Sequence, residues 1–273
     1  ILDLPYTIGD GKLQQTAYFI PPREAAEDTP MRLWVLTGGN AALALDWLHF
    51  VSEFLHSRHA QREPAPAFLL LDYPGYGRNQ GQPSPSSILE AIKNSLQALE
   101  SHHGISTNEW SDVSFLAHSI GCAAALEYAA HAAELANTES ASGLNIGKLL
   151  LISPFTSIVE MSSRVLPIPI LGLDRLIRHD FDNVRSLSAL SVAWTEGQDN
   201  ESRRRSIPVS IVHGDADNIV PVSMGRSVYQ HAKNLPGKAL RVRYKEVPRG
   251  DHNMILETAM SYIQREMAFS VKT

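Results

Sequence analysis

Short apolar runs recur along this chain, and most are followed by a stretch with helical spacing. The runs are LQQTAYFI (13–20), RLWVLT (32–37), AFLLLDY (67–73), DVSFLAH (112–118), KLLLIS (148–153), VSIVHG (209–214) and LRVRYKEV (240–247). The first alternates enough to be a strand with one solvated face. The middle runs are apolar almost without interruption, as strands buried on both faces are. Helical periodicity covers about 42–57, 86–102, 120–136, 222–234 and 253–268, and Pro221 marks the start of the fourth. Strand and helix in alternation predict an α/β fold, a mostly parallel central sheet with helices on both faces. Sites in such sheets form at the carboxyl ends of the strands.

One segment breaks the alternation. Residues 155–187 follow a predicted strand, run long and apolar, and are interrupted by Pro167 and Pro169. This reads as a small cap or lid insertion, at about 155–190, on a single domain spanning residues 1–273. Its apolar side chains would line a substrate entrance and offer a surface for peripheral membrane contact; plain packing onto the core is the alternative.

Composition narrows the classes. The chain has 273 residues, 44% apolar and 19% charged, enough to bury a substantial core. Its net charge is −5 and it carries no basic field, which argues against nucleic acid as a partner. Cys122 is the single cysteine, so no intrachain disulfide forms. A lone cysteine in an Ala-rich run reads as a buried thiol and fits a reducing compartment. No apolar run is long enough to span a membrane. The sequence starts at Ile1 rather than Met, which leaves room for a signal or anchor ahead of it.

The candidate chemistry lies at strand ends. One apolar run ends at His118 and a helical run begins at Ile120, so Ser119 occupies a tight strand-to-helix bend within AHSIG. Small residues two before and two after such a bend let neighbouring backbone come close, and Ala117 and Gly121 supply them. The bend would lift Oγ clear and leave the Ile120 amide free to bind an oxyanion. The same residues would equally suit a helix N-cap. A serine hydroxyl needs a base, and the base needs an orienting acid. HGDADNIVP (213–221) brings Asp215 and Asp217 after one buried strand, and RGDHN (249–253) brings His252 after the last. His118 is expected to be structural, its ring aimed away from the serine. No His/Asp cluster has metal-ligand spacing, so no metal site is expected.

AHSIG, HGDADNIVP, GDHN and LLLDYPGYGRNQGQPS (69–84) together resemble the α/β-hydrolase superfamily. The last of these, with ISPFTSI (152–158), is similar to the ABHD12/ABHD13/ABHD17/Bem46-like branch. The resemblance runs from about Arg32 to the C-terminus. It implies a triad of Ser119, Asp217 and His252, with Asp215 left as a turn residue. It implies oxyanion donors at the amides of Ile120 and Asn40, the latter in TGGNAA (37–42), where Gly38 replaces the His of relatives. Gly39, Tyr73 and Tyr76 are candidate substrate contacts, although turn chemistry at Pro74, Gly75 and Gly77 also accounts for the tyrosine loop. The implied reaction is two-step acyl transfer on a small-molecule carboxylic ester, a lipid or acyl ester first and an acyl thioester second. It needs no cofactor. A non-catalytic scaffold of the same fold is the alternative of a different class, and the triad order argues against it.

Overall fold

The structure is a computed structural model that describes residues 1–22, 31–57, 66–103, 110–138, 145–165, 181–197 and 205–268. The strands are β1 (Leu2–Ile8), β2 (Leu13–Ile20), β3 (Met31–Thr37), β4 (Ala67–Leu71), β5 (Trp110–His118), β6 (Ile146–Ile152), β7 (Ile207–Gly214) and β8 (Leu240–Val247). They form one sheet in the order β1-β2-β4-β3-β5-β6-β7-β8. β1 and β2 join antiparallel, as do β2 and β4, and every other pair is parallel.

β1 was not among the apolar runs, because Pro5 interrupts LDLPYTI. As an edge strand it pairs on one side only, so a proline without an N–H is tolerated. Leu4, Tyr6 and Ile8 alternate inward and are buried.

The helices are α1 (Leu48–His56), α2 (Pro85–His103), α3 (Ile120–Thr138), α4 (Ile158–Val165), α5 (Asn183–Glu196), α6 (Val222–Asn234), α7 (Ile255–Thr258) and α8 (Met260–Ala268). A 3-10 turn at Ala44–Trp47 precedes α1. Period-2 alternation divides the strand residues between two faces. Leu33, Val35, Leu69, Phe115, Leu149, Leu151, Val209 and Ile211 pack with α2, α3, α5 and α6. Trp34, Leu36, Phe68, Leu70, Leu116, Leu150, Ile152 and Val212 pack with α1, α7 and α8. The expected helix over 253–268 is two, broken at Ala259.

α5 begins at its N-cap Asp182, whose carboxylate accepts from the Arg185 amide at 2.9 Å. Leu187, Leu190, Ala193 and Trp194 are buried along it. The proposed cap is therefore described only at its two ends, since residues 166–180 lie outside the described residues.

α8 is held by a buried ion pair. Lys148 Nζ on β6 lies 3.2 Å from Glu266 Oε2, and the Ser210 hydroxyl donates to the same oxygen at 2.7 Å. Burial pushes the Glu266 carboxyl up, but Ser210 and Lys148 outweigh it and hold it below its ordinary value. Burial also draws the Lys148 ammonium down. Glu266→Ala is expected to destabilise the fold by about 3–5 kcal/mol, because it leaves the buried Lys148 cation without its counter-charge, held only by the main-chain carbonyl of residue 266. Replacing both partners with apolar residues should restore most of that. Urea denaturation midpoints check both.

Candidate functional site

The bend at Ser119 has the backbone its neighbours predict. Ser119 is buried and has φ of 55°, a left-handed conformation that a non-glycine residue rarely adopts. The turn is pinned on both sides: the Ser119 amide donates to the Ile152 carbonyl at 2.9 Å, and the Cys122 amide donates to the Ser119 carbonyl at 3.0 Å. Gly121 is the strict requirement, since a Cβ there would collide with the Thr37 carbonyl. Ala117 is fully buried in the core layer, so its methyl is accommodated. Cys122 is a buried free thiol, and burial pushes it far up.

Asp217 and His252 meet across two loops. His252 Nδ1 lies 2.8 Å from Asp217 Oδ2, and both residues are buried. The loops are stitched together: the Ala216 amide donates to the Gly250 carbonyl at 3.1 Å, and the Asp215 amide to the Val247 carbonyl at 3.1 Å. Gly214 allows this approach, since a Cβ there would enter the Gly250 carbonyl. Asp215 is exposed, and its carboxylate takes the Arg249 amide at 2.6 Å, as a turn residue does.

The Asp217 carboxylate is fully engaged. Oδ1 accepts from the amides of Ile219 and Val220, at 3.0 and 2.8 Å. His213 Nε2 lies 2.9 Å from the Val220 carbonyl, which can only accept, so that nitrogen carries hydrogen. It also lies 3.4 Å from Asp217 Oδ2. Burial pushes the Asp217 carboxyl up. Hydrogen bonds from His213 and His252 outweigh burial and hold it well below the carboxylate range. This fixes a carboxylate against a histidine N–H at neutral pH.

His118 was expected to aim elsewhere, yet it packs against His252. The two rings are 4.7 Å apart at 42°, and His118 Nε2 lies 3.0 Å from the His252 carbonyl oxygen. No hydrogen bond joins Ser119 Oγ to His252 among the described residues; it is His118, the residue before the serine, that packs on His252. Such bonds are often long before substrate arrives. Loss of water around the ring, with His252 beside it, pulls His118 down to about 4 from an ordinary 6.5. The folded chain therefore binds fewer protons there than the unfolded chain between those values. His118 contributes stability above pH 6.5 that is lost as pH falls toward 4. The drop in thermal midpoint over that window should be smaller in His118→Phe.

A tyrosine loop shapes the segment after β3. The buried Tyr73 hydroxyl donates to the Gly38 carbonyl at 2.6 Å, and the Tyr76 hydroxyl donates to Asn40 Oδ1 at 2.7 Å. The Gly39 carbonyl accepts from the Ala42 amide at 3.2 Å, and Ala41 has φ of 63°. Both peptide planes next to Gly39 thus have their carbonyls occupied. Asp72 ties in the following turn by accepting the Ala44 amide at 2.7 Å. Tyr73 spends its hydroxyl on backbone, so its place is under the loop, whereas Tyr76 is partly exposed. Gly39 lies against Ser119: a Cβ built on it would stand 3.5 Å from the serine Cβ. Asn40 and Ile120 flank the bend at the ends of β3 and β5. Among the described residues no cluster of three His, Cys, Asp or Glu could hold a metal ion, and no helix is long and apolar enough to cross a membrane.

Known proteins share this architecture. The alpha-beta hydrolase of Vibrio vulnificus superposes with a TM-score of 0.65 at 15% identity, covering 98% of this chain and 81% of that one. An esterase of Pyrococcus furiosus, Pf2001, superposes at 0.63 and 13% identity, covering 96% and 87%. Est1E of Butyrivibrio proteoclasticus, solved with ferulic acid bound, superposes at 0.59 and 19% identity, covering 96% and 97%. In sequence, protein YfhR of Salmonella typhi is 22% identical over 208 residues, 73% of this chain. Protein Rv2307c of Mycobacterium tuberculosis is 26% identical over 185 residues, 68% of this chain. The matches span 62% and 52% of those two relatives. The profile described as "Alpha/beta hydrolase family" matches residues 35–262, and the chain belongs to that family.

Proposed function

We propose that this protein is a serine esterase of the Bem46-like branch that cleaves a lipid or other acyl ester through an acyl-enzyme. The observation that carries the reading is the 2.8 Å bond between His252 and the Asp217 carboxylate at the sheet edge where Ser119 is held at φ of 55°. In this mechanism His252 takes the Ser119 proton as Oγ attacks the ester carbonyl, and Asp217 holds the imidazole tautomer and stabilises the imidazolium. The amides of Ile120 and Asn40 bind the oxyanion. His252 then gives its proton to the departing alkoxide, and water releases the acyl group by the reverse sequence.

Apolar residues on the same edge favour an acyl substrate. Leu43, Leu45 and Leu48 follow β3, Ile219 follows β7 and Met254 follows β8, and all are exposed. A cap over 155–190 would add to this surface and give the protein its peripheral membrane contact. The structural neighbour Pf2001 is an esterase, which agrees with the chemistry. The decisive test is fluorophosphonate labelling followed by turnover of p-nitrophenyl esters of graded chain length against matched thioesters. Labelling at Ser119 with a preference for medium or long acyl esters is expected. Preference for acetate would remove the acyl-chain reading, and preference for the thioester would move the protein to the depalmitoylase type.

Tyr73→Phe tests the oxyanion loop. Removing one buried hydroxyl should lower stability by only about 1 kcal/mol. Freeing the Gly38 carbonyl should cost about tenfold in kcat with KM unchanged, because donor placement counts chiefly in the transition state. Steady-state kinetics beside a thermal melt separates the two.

A further inference from the structure

We propose that His118 is a positioning residue for the base, fixing both the backbone and the ring of His252. This rests on reading Ser119, Asp217 and His252 as the reacting set. A carbonyl can only accept, so the 3.0 Å contact to the His252 oxygen places a hydrogen on His118 Nε2. The imidazole of His118 then lies against that of His252, 4.7 Å between ring centres. Its other side faces the loop after β3, where a Cβ at position 39 would stand 3.1 Å from His118 Nδ1. One ring therefore touches two of the limbs that must meet, the His252 loop and the segment carrying Gly39 and Asn40, while its backbone carries the third, Ser119.

His252 is thus gripped twice. Asp217 holds its Nδ1, and His118 holds its carbonyl and one face of its ring. Nε2 is the nitrogen left for the serine proton. A charged ring at position 118 would repel the imidazolium formed on His252. Burial, with His252 and His213 beside it, outweighs the Asp217 carboxylate and the His252 carbonyl and leaves the His118 ring neutral at working pH. It can therefore act as a fixed wall and donor while the proton moves next to it.

The test compares His118→Phe, which keeps a ring but removes the donor, with His118→Gln, which returns a donor near the same point. His118→Asn, too short to reach the carbonyl, carries the same expectation as His118→Phe and needs no extra room. Each is measured for kcat and KM on p-nitrophenyl butyrate, fluorophosphonate labelling rate and thermal midpoint, with Ser119→Ala as control. In His118→Phe and His118→Asn, kcat and labelling rate should fall about ten- to a hundredfold with KM unchanged, the scale of a base displaced by a fraction of an ångström. His118→Gln should recover most of that rate. A wild-type rate in His118→Phe overturns the proposal, as does a loss that follows thermal midpoint alike in all three variants. Labelling that survives Ser119→Ala overturns the serine reading itself, and that arm distinguishes the two failures.

Discussion

Ser119→Ala is expected to lower kcat/KM for a p-nitrophenyl ester by about a millionfold, to the level left by oxyanion donors and binding alone. Fluorophosphonate labelling should vanish with it. The structure makes this an unusually clean variant. Ser119 Oγ has no hydrogen-bond partner among the described residues, so its removal leaves no buried group stranded. The bonds that hold the bend are made by the backbone: the Ser119 amide to Ile152 and the Ser119 carbonyl to Cys122. Alanine keeps both, and keeps the same unfavourable φ that the serine already bears. The thermal midpoint should therefore stay close to wild type, and the kinetic loss can be assigned to chemistry. Unchanged turnover would show that Ser119 is not the nucleophile.

Much of this arrangement was legible because it depends on strand ends. A buried parallel strand must deliver its next residue to the carboxyl edge, so Ser119, Asp217 and His252 could be placed on one edge from periodicity alone. The choice between Asp215 and Asp217 came from family resemblance. The structure shows the physical difference: Asp215 is spent on the Arg249 amide, and Asp217 reaches His252. What escaped the sequence depends on side-chain direction at irregular backbone. At φ of 55° the period-2 rule stops at Ser119, and the path of the His252 loop over His118 has no local signal. His213 belongs to a regular strand, but its contact with Asp217 depends on a turn that folds back over it. Tyr73 read as a turn residue or pocket wall, since nothing local says that its hydroxyl finds a carbonyl 35 positions away. β1 was hidden by Pro5, whose missing N–H an edge strand tolerates at a position facing away from its one neighbour.

Asp217→Asn should be the second most damaging change, with kcat falling about ten-thousand-fold while the fold persists. The carboxylate oxygens face donors on every side: two backbone amides on Oδ1, and His252 with His213 on Oδ2. An amide turns one of those acceptors into a donor. If its NH₂ faces Ile219 and Val220, two backbone hydrogens are left opposing it in a buried turn. If it faces His252, the imidazole must place its proton on Nε2 to offer Nδ1 as acceptor, and it then has no lone pair for the Ser119 proton. His213 resists the second arrangement as well, since its Nε2–H is fixed by the Val220 carbonyl and points at the same position. The amide is thus caught between a local fold that prefers its oxygen on the turn and a base that needs oxygen on the other side. The first preference should win, because it satisfies two amides, leaving a folded protein with His252 in the wrong tautomer. A kcat within tenfold of wild type, beside an unchanged melt, would show that Asp217 does not set the state of His252.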